Sequence, residues 1–249
     1  MAPSRATGSS TIRALRVVEA VAVAGDGVTA KAIARRLGIP LPSVYRAVGT
    51  LVQEGYLVRL REVRGYGLGY RVAQLHRCLT EQVRPPAPVR EVLHDVHTAL
   101  GAPAYLTVLR DLDVVMAHVE DCADHPRPAR MRVGEPVAPL RTAAGKAVLA
   151  DLSPGALAEL TARYGWPAPP TMDDGELRRI RADGAAVEME EYGPGTAGVA
   201  APVHPPDGNV RGALGVSVPD GELAARLPEL ERTVRDAAAR VAALGAHLQ

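Results

Sequence analysis

Apolar residues in the first third of the chain recur at helical spacing, separated by short breaks rather than long loops. From Thr11 to Val23, Ile12, Leu15, Val18 and Ala22 fall on one face, predicting a helix that Gly25-Asp26-Gly27 ends. Thr29 stands as an N-cap, because its hydroxyl oxygen can accept a free amide of the next turn. Ala30, Ile33, Ala34 and Leu37 form the second stripe, and Gly38 closes it. After the turn Ile39-Pro40, Pro42 and Ser43 open a third helix with Val44, Val48 and Leu51 facing inward, ending at Glu54-Gly55. Tyr56-Leu57-Val58 and Tyr66-Gly67-Leu68 read as two short strands joined by the Arg-rich segment Arg59 to Gly65. Arg71 to Gln82 aligns Val72, Leu75 and Leu79 on a further helix, which Arg84-Pro85-Pro86-Ala87-Pro88 stops.

Beyond that boundary the pattern changes to helices mixed with hairpins. Val89, Val92, Leu93, Val96 and Leu100 make an amphipathic helix; Ala104–Leu109 and Val114–Val119 are strands turning at Asp111-Leu112-Asp113. Gly145–Ala150, Gly155–Tyr164 and Gly175–Ala182 look helical, and Gly198–Val203 and Val210–Val218 are strands around Pro206-Asp207-Gly208. A last helix runs from about Glu222 to Leu248, with Leu223, Leu227, Leu230, Val234, Ala238 and Val241 on one face. That stripe reads most simply as core, with an oligomer contact as the alternative. The expected class is α+β in two domains. The expected bounds are 1–70 for a winged helix-turn-helix, 71–84 for a linker helix and 85–249 for the remainder.

Charge sharpens the division. Residues 1–84 carry 13 Lys and Arg against 5 Asp and Glu, and residues 85–249 carry 16 against 23. A basic module on an acidic remainder points to a polyanionic partner for the first part. Helix, helix, turn, helix and hairpin is the order of a DNA reader whose later helix enters the major groove. With Val44, Val48 and Leu51 buried, Ser43, Tyr45, Arg46 and Thr50 lie opposite and suit phosphate, guanine or thymine-methyl contacts. Arg59, Arg61 and Arg64 would reach phosphates or the minor groove.

Several enzyme-like signals fail on context. Gly65-Tyr66-Gly67-Leu68-Gly69 does not lead into the helix of a βαβ unit, and Gly145-Lys146 lacks the flanking residues of a phosphate loop. Cys78 and Cys122 give neither a disulfide framework nor a zinc pattern. His94, Asp95 and His97, with His118 and His125 further on, have no third ligand at a fixed spacing and read as surface or interface residues. Glu188 is expected to face a cavity, whereas Glu190 and Glu191 read as solvated or helix-capping. No catalytic residue, metal site or cofactor is expected. No apolar run reaches the roughly 18–20 residues that span a bilayer. The first ten residues carry no apolar stretch, so a cytoplasmic location with no membrane association is the expectation.

These residues together resemble the IclR family of bacterial transcriptional regulators. The likeness runs through Thr29–Gly38, Ile39-Pro40-Leu41-Pro42-Ser43-Val44-Tyr45-Arg46, Glu54-Gly55-Tyr56-Leu57 and Tyr66-Gly67-Leu68-Gly69. It continues in Arg141-Thr142-Ala143-Ala144-Gly145-Lys146-Ala147, Glu190-Glu191-Tyr192 and Gly198-Val199-Ala200-Ala201-Pro202-Val203. The resemblance implies a GAF-like effector domain, a homodimer or dimer of dimers, a palindromic double-stranded DNA operator and a small-molecule effector. It assigns DNA contact to Thr29, Leu41, Ser43, Tyr45, Arg46, Thr50, Arg59, Arg61 and Arg64, and effector contact to Ala143, Ala144, Glu188, Gly198, Gly215 and Ser217. The family's usual Cys is Gly198 here, and its first Ser of the S-[IV]-S element is Gly215, which implies either a wider pocket or lost sensing. The expected function is a sequence-specific transcriptional regulator whose operator affinity a metabolite adjusts. A ligand-independent regulator, or a small-molecule enzyme with a regulatory DNA-binding-like module, is the alternative.

Overall fold

In the computed structural model, residues 9–125, 127–166, 174–205 and 208–245 are described. The chain forms two compact units that part between Leu79 and Thr80. The first contains α1 (Ser10–Ala24), α2 (Ala30–Leu37), α3 (Leu41–Gln53), β1 (Leu57–Leu60) and β2 (Gly65–Leu68), and α4 (Tyr70–Val83) runs across the division. Ser9 and Thr29 cap α1 and α2 with their hydroxyl oxygens, and Gly38 ends α2 in the left-handed conformation. The three helices close over Val17, Ala20, Val21, Ile33, Val44, Val48 and Leu51, with Leu57 joining from the hairpin.

The inward face of α1 differs from the one the sequence suggests. Ile12, Leu15 and Ala22 are exposed and Val18 is half-buried, while Val17, Ala20 and Val21 carry the burial. Two apolar stripes run along this helix, and packing against α2 and α3 selects the one through positions 17, 20 and 21. On α4 the aligned Leu75 and Leu79 are likewise exposed. Arg59 lies within β1 opposite Tyr66, so the connection between the strands is shorter than expected.

The second unit is a five-stranded antiparallel sheet with helices on both faces. It comprises α5 (Ala87–Leu100), β3 (Ala104–Arg110), β4 (Asp113–Glu120), α6 (Ala143–Asp151), α7 (Pro154–Tyr164), α8 (Asp174–Asp183), β5 (Ala186–Met189), β6 (Thr196–Val203), β7 (Gly212–Pro219) and α9 (Asp220–Ala243). The strand order is β4-β3-β7-β6-β5. Alternation along the strands sends Leu106, Val199, Val216 and their neighbours to the α5 and α9 side, and Tyr105, Ala200 and Ala213 to the α6 side. Asp111 and Leu112 both take positive φ, giving the tight connection that matches strand twist between β3 and β4. The strand β5 was not expected. The turn assigned to Pro206-Asp207-Gly208 lies partly outside the described residues, and the last helix, expected to run to about Leu248, ends at Ala243 with Leu244 as its C-cap.

α6 is buried from Ala143 to Ala150, packed on β5, β6 and β7 and against α8. Its N-terminus is fixed by Thr142, which accepts from the Gly145 amide at 3.1 Å and donates to Ala138 O at 3.0 Å. The helix lies so close to the preceding segment that a Cβ on Gly145 would fall 2.3 Å from Pro139 O and 2.4 Å from Pro139 Cα. Alanine is the better helix former, yet here Gly145→Ala must displace backbone. We expect it to lower stability by about 1–3 kcal/mol in urea denaturation, and an unchanged or raised midpoint would contradict this packing.

Candidate DNA-reading surface and effector region

Burial of Val44, Val48 and Leu51 fixes the rotation of α3. Ser43 and Val44 donate their amides to Pro40 O at 2.9 and 3.2 Å, which starts the helix without a side-chain cap. Tyr45, 55% exposed, and the exposed Arg46 and Thr50 project from the other face; Leu41 and Ser43 are half-buried at its beginning. Thr50 Oγ1 donates to Arg46 O at 3.3 Å. Thr29 is exposed at the head of α2, its hydroxyl oxygen accepting from the Ala32 amide at 3.2 Å. Arg59 on β1 and Arg61 and Arg64 between the strands are exposed, Arg64 at φ 51°. Among the described residues none of Arg46, Arg59, Arg61 and Arg64 forms an ion pair, so their charge is free for an external anion.

In the second unit the motif positions converge. Glu188, Gly198 and Ser217 stand in one row across β5, β6 and β7, and Gly215 pairs with both Ala200 and Tyr105. Ala143 and Ala144 cover this face from α6, and all six positions are buried. The space freed by the two glycines is occupied. A Cβ at Gly215 would lie 2.7 Å from the Tyr105 hydroxyl and 2.8 Å from Ala200 Cβ. One at Gly198 would lie 3.0 Å from Glu188 Oε1 and 3.5 Å from Ala143 Cβ. A wider pocket therefore does not form here: Tyr105 and Glu188 take up the room that smaller residues release. Tyr105 is fully buried, which holds its hydroxyl protonated far above the ordinary range, with the nearby Glu188 charge adding to the effect.

Glu188 accepts from the Glu191 and Tyr192 amides at 3.2 and 3.4 Å, yet loss of solvent outweighs these bonds and raises its carboxyl above 4.5. Glu191 is not a freely solvated acid, since it holds Lys146 Nζ at 2.6 Å, while Glu176 holds the same ammonium at 3.0 Å. Burial alone would lower the Lys146 value, but its bonds to Glu191 and Glu176 reverse this and raise it. Glu190 accepts from the Gly195 amide at 3.1 Å, capping a turn rather than a helix. Neither the 500 Å³ cavity beside Lys146 nor the 680 Å³ cavity beside Tyr192 is lined by any of the six motif residues. Sequence reading missed Tyr105, whose role depends on strand register.

The histidines expected at the surface are bound into local contacts. His118 meets Glu120 at 2.8 Å, His94 lies 4.0 Å from the same carboxylate, and His97 Nδ1 lies 3.0 Å from Ala102 O. Among the described residues no group of three His, Cys, Asp or Glu is placed to hold a metal. No described helix is long and apolar enough to cross a membrane.

Comparison with known families settles the class. The profile described as bacterial transcriptional regulator IclR C-terminal matches residues 87–243, and that of the IclR helix-turn-helix domain matches residues 10–61. The chain belongs to the IclR family. It is a transcriptional regulator with a helix-turn-helix DNA-binding domain and a C-terminal effector domain. The fold is similar to that of IclR from Thermotoga maritima, at 20% identity and TM-score 0.70, over 95% of this chain and 98% of that one. An IclR homologue from Microbacterium hydrocarbonoxydans, complexed with 4-hydroxybenzoate, shares 23% identity at TM-score 0.71 over 95% and 99% of the two chains. An IclR regulator from Alicyclobacillus acidocaldarius shares 24% at TM-score 0.68 over 95% and 98%. No curated protein sequence matches significantly.

The raised Glu188 carboxyl has a signed consequence. Its stabilising contribution is complete below 4.5, where it is protonated both folded and unfolded, and is lost as pH rises through the higher folded value. Glu188→Gln keeps an oxygen for the two amides and removes that loss. The variant's urea midpoint should therefore gain on the parent's between pH 4.5 and 7.5. A gap that narrows or reverses over this interval would show that Glu188 is stabilised as a carboxylate.

Proposed function

We propose that this IclR-family protein binds a palindromic double-stranded DNA operator as a dimer, or dimer of dimers, and that a small molecule in the second unit adjusts that affinity. The observation that carries the reading is the face of α3 with Tyr45, Arg46 and Thr50 exposed and Arg46 without an ion pair among the described residues. In the major groove, Arg46 would read a guanine edge, with Ser43, Tyr45 and Thr50 on phosphate, sugar or thymine methyl. Thr29 and Leu41 would position the helix ends, and Arg59, Arg61 and Arg64 would bind backbone phosphate or the minor groove. Ile12, Leu15, Leu75 and Leu79 leave apolar side chains exposed, and a second copy of the chain would cover them. Two readers would then enter major grooves about 34 Å apart.

The liganded Microbacterium relative supports small-molecule sensing by such a C-terminal domain. We assign the six motif positions, Ala143, Ala144, Glu188, Gly198, Gly215 and Ser217, to the face through which sensing acts. Regulation needs only a differential affinity of about 1–3 kcal/mol between two arrangements, so it requires neither bond chemistry nor a cofactor, and binding to genomic DNA would put its work in the cytoplasm.

Gel shift on the DNA upstream of the protein's own gene tests the reading. Arg46→Ala should cost about 1–3 kcal/mol in operator affinity and relax preference at one base pair. Equal loss at every sequence would make Arg46 a phosphate contact instead. Joint replacement of Arg59, Arg61 and Arg64 by Ala should flatten the slope of log affinity against log salt by roughly 2–3, and an unaltered slope would remove the wing from the interface.

A further inference from the structure

A cavity of about 500 Å³ is bounded by the segment from Ala138 to Arg141, Lys146 of α6, Tyr164 at the end of α7 and Trp166 just after it, Glu176 of α8 and Glu191. That volume lies in the range of small-molecule pockets, roughly 300–1,000 Å³. One wall is aromatic: the Tyr164 and Trp166 rings stack with centroids 5.0 Å apart and planes inclined by 17°. Tyr164 is tethered, its hydroxyl donating to Asp113 Oδ1 at 2.6 Å, so the wall does not have to be ordered by the ligand.

The charges are arranged unevenly. Lys146, its side chain only 5% exposed, faces two carboxylates, which leaves one negative charge in excess around it. Arg141 is exposed on the rim and has no ion pair among the described residues, so its planar fork is open to a carboxylate. An apolar wall, a free guanidinium and a surplus carboxylate in one cavity describe complementary ends for a dipolar molecule.

We propose that this cavity is a small-molecule site for a zwitterion with a flat apolar body, of the aromatic amino-acid class. The ring lies against Trp166, the carboxylate pairs with Arg141, and the ammonium joins Glu176 and Glu191 beside Lys146. The site is separate from the six motif positions, where Tyr105 and Glu188 occupy the space beside Gly215 and Gly198, and it does not depend on the DNA-reading surface.

Trp166 is the sole tryptophan of the chain, so its fluorescence reports from the cavity wall. The full chain is titrated with L-phenylalanine, phenylpropionate and phenethylamine, which present both charges, the carboxylate alone and the ammonium alone. A saturable Trp166 response is expected for L-phenylalanine, at least about tenfold tighter than for either single-charge probe. Arg141→Ala should weaken it by about tenfold or more while leaving the thermal midpoint in place. The site is overturned if no probe gives a saturable response, if phenylpropionate binds as tightly as L-phenylalanine, or if Arg141→Ala binds unchanged. Operator binding retained in the first of these outcomes would separate failure of the cavity from failure of the DNA reading.

Discussion

The burial of Val44, Val48 and Leu51 beneath α1 and α2 is the constraint on which the functional surface depends. A helix has one rotation at which three such residues leave water together, and Leu or Val burial is worth about 1.5–3 kcal/mol per side chain. That free energy does not act on Tyr45 or Arg46 directly, yet it determines where they point. The polar face is set by the apolar one. The same logic governs the capping of α2 by Thr29, which fixes the entry of the helix that supports α3.

In the second unit the corresponding constraint is steric. Three glycines mark where the packing leaves no room for a Cβ: Gly145 lets α6 lie against the Pro139 segment, Gly198 faces Glu188 and Ala143 of α6, and Gly215 lies under Tyr105 within the sheet. At Gly215 the neighbour is Tyr105, and a side chain at position 215 would require this ring to move. The two positions are thus coupled: the small residue on β7 and the large one on β3 are one packing solution. The interior behind α6 is filled, while the charged and aromatic residues gather around a separate cavity at Lys146, Arg141 and Trp166.

Much of this fold was legible in the sequence because it is written locally. Thr29, Gly38 and the stripe Val44, Val48, Leu51 mark two helices by caps and period alone, and the apolar runs Ala104–Leu109 and Val114–Val119 on either side of Asp111-Leu112-Asp113 mark a hairpin. The α1 face was misread because Ile12, Leu15 and Ala22 make a second valid stripe, and only the packed partners decide between them. The strand β5 escaped notice because it has four residues, Ala186–Met189, whose pairing with β6 supplies what its own pattern lacks. Tyr105 against Gly215, and Arg141 on the same cavity as Trp166, are juxtapositions of distant segments, set by sheet register and helix packing rather than by spacing along the chain.

The central claim is that paired copies of α3 read duplex DNA through the Tyr45, Arg46 and Thr50 side. Base-resolution footprinting of the intact protein on the DNA upstream of its own gene is its most direct test. The account predicts two symmetry-related patches of major-groove protection on one face of the duplex, centred about 10 base pairs or a multiple of one turn apart. Protection that is absent, or spread without position along the fragment, would contradict it.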